Sequence, residues 1–529
     1  MAQPTLTSLA SLVLLTACAG DAPTAALVPK PDRATPVATS AWPGFTLVAP
    51  LGSKRIYLVD MAGEEVHHWD APEKPGEMVY LTERGTVLAT QRNEDDPYFQ
   101  DAGGHGGALR ELAHDGTVLW EYVHNGPDGS QHHDCKELPN GNVLFVAWDR
   151  TTRAEALAAG RDPELLEGQE WWPGAVYEVR PVRPKGGEIV WSWHARDHVM
   201  QGLDPDLPNF GDPAESPEKI DINGDRDVKP PTEEEEAADA AAMAALGYAG
   251  GGDADDDGDS DSDEDEEEED PEDAVRKARV EDADWMHTNA VAYNAELDQI
   301  AISVRRYDEI WIIDHGITRE EARGPKGDLL YRFGNPFAYR MGEWEDRPFL
   351  GQHDVQWIPD GHLGAGNLIV FNNGTRGREW SSIYEWWPPL DVDGRYQRAK
   401  GEPFGPAEPE WTFEAEDRES VYSPFISGVQ RLPNGNTLVC SGAPGHVFEV
   451  SPVGEVVWDW RCPFTVVGDE EILMEEYPTA LFRARRYGPD HPGIVALREA
   501  GVSLPDDPGT GPATNQFVPP PEEDDEADD

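Results

Sequence analysis

Cysteine is scarce in this chain of 529 residues, four in all, and that excludes a fold stapled together by disulfides. Basic residues are scarce as well: 42 Lys and Arg stand against 103 Asp and Glu, a formal net charge of −61. Nucleic acid is excluded as a partner, and so are anionic membrane surfaces, because phosphate binding needs clustered Lys and Arg. Residues 7–17 form an apolar stretch too short to span a bilayer as a helix. No Gly-rich phosphate loop or dinucleotide fingerprint follows a strand-like segment, so nucleotide use is not expected. Against these absences stand 18 Trp, too many for a merely solvated chain. A large aromatic-rich globule is present.

The negative charge is concentrated. Glu233 to Asp273 hold 21 acidic residues and no Lys or Arg, and Glu522 to Asp529 hold seven more. Such runs repel themselves and bury nothing, so both segments are expected to be disordered. Near the other end, Leu15-Thr16-Ala17-Cys18 closes the short apolar stretch and resembles a bacterial lipobox, in which the Cys is lipidated. The expected organisation is a lipoprotein-type signal over 1–18, a Pro/Ala/Thr-rich tether over 19–43 and a folded body over 44–500. Within that body 212–282 form a mostly disordered insertion, and 501–529 form an acidic tail. The protein is expected to be exported to the periplasm or cell envelope and to meet a membrane only through its lipid. The oligomeric state is open.

The body is a repeat. His133 to Trp193 read His-Asp-Cys-Lys-Glu-Leu-Pro-Asn-Gly-Asn-Val-Leu-Phe-Val, then Ala-Val-Tyr-Glu-Val, then Gly-Glu-Ile-Val-Trp-Ser-Trp. Ser427 to Trp460 repeat the pattern with Leu-Pro-Asn-Gly-Asn-Thr-Leu-Val-Cys, His-Val-Phe-Glu-Val and Gly-Glu-Val-Val-Trp-Asp-Trp. Looser copies start at His287 and His353, and two degenerate ones cover Met78–Tyr122 and Gly44–Trp69. Each unit carries three or four short strands joined by Asn-Gly, Asp-Gly or Gly-Glu turns. Small sheets that bury their faces only against neighbours close radially. This predicts an all-β chain folded as a six-bladed β-propeller, with five or seven blades as alternatives.

In a propeller the innermost strands line a central channel, so residues equivalent by repeat converge there. Counting back five residues from the Leu of Leu-Pro-Asn-Gly-Asn, or its counterpart, lands on His133, His287, His353 and Ser427 in units three to six. The fold tolerates Ser at this position, so three imidazoles at one level suggest an anion or metal site. His446 breaks the repeat in another way: its counterparts in other units are Ala108, Ala175, Glu309 and Ser382. Arg376 and Arg378, on Asn-Asn-Gly-Thr-Arg-Gly-Arg, suit a tetrahedral oxyanion through charge-assisted hydrogen bonds.

Asp284-Trp-Met-His-Thr-Asn289, Gly351-Gln-His-Asp354, Phe371-Asn-Asn-Gly374 and Tyr422-Ser-Pro-Phe-Ile-Ser427 together resemble the bacterial aryl-sulfate sulfotransferase family, over roughly residues 44–490. The resemblance implies a six-bladed propeller that moves a sulfuryl group from a phenolic sulfate ester to a phenolic acceptor, without a nucleotide sulfate donor. It implies that His446 accepts the sulfuryl group and that His287, His353 and Arg376 assist. His133, Arg378, Asn289 and Ser427 are the expected substrate-binding positions. Glu476–Gly493 resembles the family's closing segment, which implies that it packs back on the propeller. No cofactor is implied.

Two other readings stay open. His133, His287 and His353 could be three imidazole ligands of a metal enzyme, or the propeller could be a binding scaffold without chemistry. Asp253 to Glu264 formally satisfy an EF-hand loop, but a run this acidic matches by chance. Loose, weak calcium association with the run is the expectation. Cys135 and Cys440 read as buried thiols, and a Cys440–Cys462 bridge is compatible with an oxidising compartment.

Overall fold

Leu-Pro-Asn-Gly-Asn recurs because its last two residues each do a physical task. Gly141 and Gly435 take left-handed backbone (φ 82° and 93°) at the tip of a hairpin, where a side chain would be strained. The Asn that follows reaches back across the blade: Asn142 donates to Glu178 at 2.5 Å and Asn436 to Glu449 at 2.6 Å. Degenerate units keep the same device, with Thr86 donating to Glu111 and Asn367 to Glu385. A buried Glu on the third strand, held by the turn between the first two strands, is what the repeat preserves.

The computed structural model describes residues 40–93, 96–99, 102–166, 168–225, 283–374, 378, 380–392, 394–465 and 477–509. Six small antiparallel sheets stand in a ring as a six-bladed β-propeller. Blade 1 is closed by both ends of the chain: the C-terminal strand Leu481–Tyr487 pairs antiparallel with Phe45–Pro50, followed outward by Arg55–Val59 and Glu65–Asp70. Blades 2 to 6 begin with the inner strands Pro75–Leu81, Gly129–Glu137, Thr288–Asn294, His353–Trp357 and Gly428–Arg431. These strands and Leu481–Tyr487 touch in ring order around the axis. After Tyr487 the helix Pro492–Glu499, capped by His491, buries Ile494 and Leu497 beside blades 1 and 2.

The axis itself is filled by charge. Inner strands present alternate residues to the channel. Arg483 of blade 1 lies 2.8 Å from Asp134 of blade 3 and 3.2 Å from Asp354 of blade 5, and donates to the carbonyl of Asn289 in blade 4. Asp134 also accepts from the Tyr80 hydroxyl of blade 2 and the Val291 N–H of blade 4. Asp354 accepts from Arg485 at 2.7 Å and from the Val429 N–H of blade 6. One buried knot of two carboxylates and two guanidinium groups therefore joins all six blades. Far from the axis, Trp69, Trp120, Trp193, Trp458 and Trp460 of the outermost strands are fully buried and give the blades aromatic outer walls.

The expected boundaries need adjustment where the chain is described. Residues 212–225, expected to belong to the insertion, are packed. Ile220–Asp221 pairs with Val199–Met200, and the Asp221 and Ile222 carbonyls accept from Tyr307 and Arg161. In the expected tether the Trp42 N–H donates to Glu449, and in the expected tail the Pro508 carbonyl accepts from the Met61 N–H. Local composition could not show these partners, which lie hundreds of residues away. Cys18, the remaining insertion with Asp253–Glu264, and the acidic run Glu522–Asp529 lie outside the described residues. Among the described residues no helix is long and apolar enough to cross a membrane. Cys135, Cys440 and Cys462 are buried and free, so Cys440 and Cys462 are not bridged.

Candidate active site at the upper mouth of the channel

Every inner strand starts at the same end of the channel, here the upper mouth, and most starts are bent. Glu77, His133, His287 and Ser427 have φ of 105°, 48°, 49° and 91°, and Asp354, next to His353, has 62°. Such backbone is costly for non-glycine residues and clusters where function requires a side chain to be aimed. Pairing register slips beside these positions at Pro75/Val79, Thr288/Ala290 and His353/Gln356, so each residue leaves the strand pattern and turns toward the axis. The upper ring thus reads Glu77, His133, His287, His353, Ser427 and, in blade 1, Phe482, whose carbonyl accepts from the Ser427 N–H.

The histidines are brought together as expected. His133 and His287 meet edge to face with ring centres 4.6 Å apart. His287 donates through Nδ1 to Asp284 Oδ2 at 2.5 Å, and Asp284 is itself held by the Trp148 indole N–H at 2.8 Å and the His287 backbone N–H. Burial alone would raise the Asp284 carboxyl, but His287 and the charge of Arg306 hold it well below the usual range. His353 Nδ1 faces only acceptors, the Gly351 carbonyl at 2.9 Å and Asn373 Oδ1 at 2.8 Å. The amide of Asn373 is oriented by donating to the Ser423 and Ile426 carbonyls. Both rings therefore carry their proton on Nδ1 and their lone pair on Nε2.

Burial lowers the pKa of His133, His287 and His353, well below 6.5 for His133 and His353. The positive charge of Arg305 adds to this at His287 and His353. These are neutral imidazoles beside a cation. The fourth imidazole, His132, had no counterpart in the repeat reading. Its Nδ1 lies 2.7 Å from that of His133, it stacks on Trp148, and burial lowers its pKa to about 3. Because one ring donates to the other, this pair presents one N–H and one lone pair at two buried Nε2 atoms that find no partner among the described residues. Gly104 makes room for it: a Cβ there would lie 2.0 Å from the His133 ring.

The remaining sequence-derived positions separate. His446 stands on the third strand of blade 6, two strands outward from Ser427. At about 4.8 Å per strand that is roughly 10 Å from the inner ring. Its Nε2 is bound to Asp459 at 2.8 Å and its ring packs on Phe448, while Nδ1 is buried without a partner. The structure does not bring His446 to the axial histidines. A repeat register locates a residue along a strand but not its radius in the blade. Ser427 is not presented as a ligand: its hydroxyl donates to Ser423 and accepts from the Gly442 N–H. Asn289 donates to the Gln352 carbonyl, and its own Oδ1 is buried and unpartnered at the level below the ring. Arg378 donates to Ser382 and lies over Trp380, away from the ring. Arg376 lies outside the described residues.

Sequence reasoning missed Glu77, His132, Asp284 as a partner, and Arg305. Glu77 was reachable, since Thr82 occupies the place of Leu138 and the same count of five leads back to it. Its Oε2 is buried and has no partner among the described residues, and burial raises its pKa to about 7 against the opposing charges of Arg92 and Arg483. Among the described residues no three His, Cys, Asp or Glu are grouped to hold a metal ion, so the three-imidazole metal reading finds no support in the geometry.

Residues 33–459 match the model of the family described as Arylsulfotransferase (ASST). No curated protein matches the chain. Similar solved structures include a protein of unknown function from Bacteroides caccae, at 11% identity and TM-score 0.40 over 84% of this chain and 99% of that one. Virginiamycin B lyase from Staphylococcus aureus follows at 9% and 0.34, over 80% and 83%. Hydrazine synthase of Kuenenia stuttgartiensis stands at 14% and 0.31, over 62% and 65%. Likenesses this distant carry no functional argument.

Proposed function

Because the chain belongs to the arylsulfotransferase (ASST) family, we propose that it moves a sulfuryl group from a phenolic sulfate ester to a phenolic acceptor, with His353 as the transient carrier. The observation that supports this reading is the pair of neutral imidazoles, His287 and His353, whose Nδ1 protons are committed to acceptors while Arg305 adds positive charge beside them. His353 Nε2 attacks sulfur in line, the bond from sulfur to the aryl oxygen breaks, and the electron pair leaves with the phenolate, which takes a proton from solvent. The N-sulfo-imidazolium is stabilised through Nδ1–H by the Gly351 carbonyl and Asn373. A phenol then gives its proton to His287, whose imidazolium Asp284 stabilises, and its oxygen attacks sulfur and returns the lone pair to His353. Arg305 opposes the charge that spreads over the sulfuryl oxygens. Arg376 is kept as a second cation for that task.

This reading moves the nucleophile from His446 to the ring. Turnover of a chromogenic aryl sulfate with a phenol acceptor tests it: wild type should release the phenol, His353→Ala should not, and His446→Ala should retain most of the rate. Turnover undiminished in His353→Ala, or lost in His446→Ala, overturns the assignment, and no turnover in the wild type favours the binding scaffold. We place the reaction outside the cytoplasm on the strength of Leu15–Cys18. Palmitate label on the wild type and not on Cys18→Ala is the expected result, and an unlabelled wild type removes the anchor.

A further inference from the structure

The channel has a second mouth. Below the knot of Asp134, Arg483 and Asp354 opens a cavity of about 280 Å3 lined by Lys136, Arg485, Gln356, Tyr80, Trp357 and Tyr487. None of His133, His287 or His353 lines it. Strand alternation explains the layering, since Asp134 and Lys136, like Arg483 and Arg485, lie two residues apart on one face.

The charges here do not cancel within the layer. Arg483 faces both carboxylates and Arg485 takes Asp354, but Lys136 has no carboxylate within 4.0 Å among the described residues. Its ammonium lies 5.2 Å from the centre of the Tyr80 ring, and no hydrogen bond from it to a described residue is present. Burial and the neighbouring Arg485 lower its pKa by more than the charges of Asp134 and Asp354 in the knot raise it. Next to it the Tyr487 hydroxyl accepts from the Leu81 N–H at 3.1 Å, which leaves its own proton to donate. An ammonium without a partner is unusual in a chain of net charge −61. Carboxylates are abundant in such a chain, and among the described residues none lies within ion-pair distance of it.

We propose that the lower mouth binds a small oxyanion, a carboxylate, phosphate or sulfate, through the Lys136 ammonium, the Tyr487 hydroxyl and the positive field of Arg485. Trp357 and Tyr80 give the body of an organic anion an aromatic wall, so the cavity has room for an arylcarboxylate as well as an inorganic ion. The site is distinct from the upper ring and does not depend on the sulfuryl-transfer reading.

Calorimetric titration and thermal melting of the full chain at constant ionic strength, with sulfate, phosphate and benzoate as separate probes against a chloride background, test the proposal. At least one probe should bind the wild type, and Lys136→Met should weaken that binding about tenfold or more, with Lys136→Arg intermediate. Preference for benzoate over both inorganic ions would identify an organic ligand, and the reverse order an inorganic one. Failure of all three probes to bind overturns the proposal, as does equal binding by Lys136→Met. So does a response that survives in Lys136→Met but vanishes in His353→Ala, which would put the anion at the upper ring. Should Lys136→Met not fold, the methyl resonance of Lys136 in the 13C-dimethylated chain, assigned with Lys136→Arg, reads the same contact. No change at saturation is then the refuting result.

Discussion

Replacing Glu77 by Gln should make the protein more stable than the wild type at high pH and leave it little changed in mild acid. Glu77 is 2% exposed, is held at φ 105°, and has one carboxyl oxygen buried without a partner among the described residues. Burial raises its pKa from 4.5 to about 7, a displacement that the charges of Arg92 and Arg483 do not overcome. Between those two values the folded protein holds a proton that the unfolded chain has released, so stability falls as pH rises through the window. At 1.36 kcal/mol per pH unit the whole window is worth about 3 kcal/mol, of which about 2 kcal/mol lies above pH 5.5. The amide of Gln has no proton to lose and lacks this slope. Urea unfolding of both proteins at pH 5.5 and pH 8.5 reads the effect as a difference of differences, in which the titration of other groups cancels. A gain by Glu77→Gln of about 2 kcal/mol on going to the higher pH is expected. Parallel stability profiles would refute the reasoning, because they would mean that the Glu77 carboxylate is solvated or paired.

Asp284→Asn should lower kcat about a hundredfold or more while KM changes little, because the amide can no longer hold the Nδ1 proton of His287 or stabilise its imidazolium. Partial rescue by Asp284→Glu distinguishes this positioning role from damage to the fold, and a kcat within twofold of wild type would dismiss it. Arg483→Met should destabilise the propeller by about 3–5 kcal/mol, since it leaves Asp134 and Asp354 buried without the guanidinium between them. Chemical denaturation checks this, and a loss below about 1 kcal/mol would show that the axial knot is not holding the blades.

The ring was legible because a propeller writes itself as a repeat. Asn142 and Asn436 each bind a Glu on the third strand of their own blade, so the same short range of sequence carries both partners of the interaction. The upper-ring histidines were legible for the same reason: His133, His287 and His353 occupy one repeat position. Glu77 was hidden by the loss of Leu-Pro-Asn from its turn, although Gly85 still marks the register with φ 72°. His132 and Asp284 were not legible, because Trp148, which touches both, is not predicted to lie near either by any local pattern. The Arg-rich segment at 483–486 read only as a closing strand, yet two of its guanidinium groups cross the axis to reach four other blades.

Sequence alone determined the repeat, the strand-turn chemistry and the level at which three imidazoles converge, because these depend on residues close together in the chain and on repetition. It also determined how charge is shared between the acidic runs and the folded body. That the blades number six and not five or seven was decided by the closed ring of sheets. Only the tertiary structure decided radius and partnership. It put His446 two strands from the ring and committed the Ser427 hydroxyl to Ser423 and the Gly442 N–H. It brought the charge of Arg305 to bear on His287 and His353, and among the described residues it left Lys136 without a carboxylate in ion-pair reach at the lower mouth. Radius depends on which strand of a blade faces the axis, and partnership on atoms that meet only after six blades have closed.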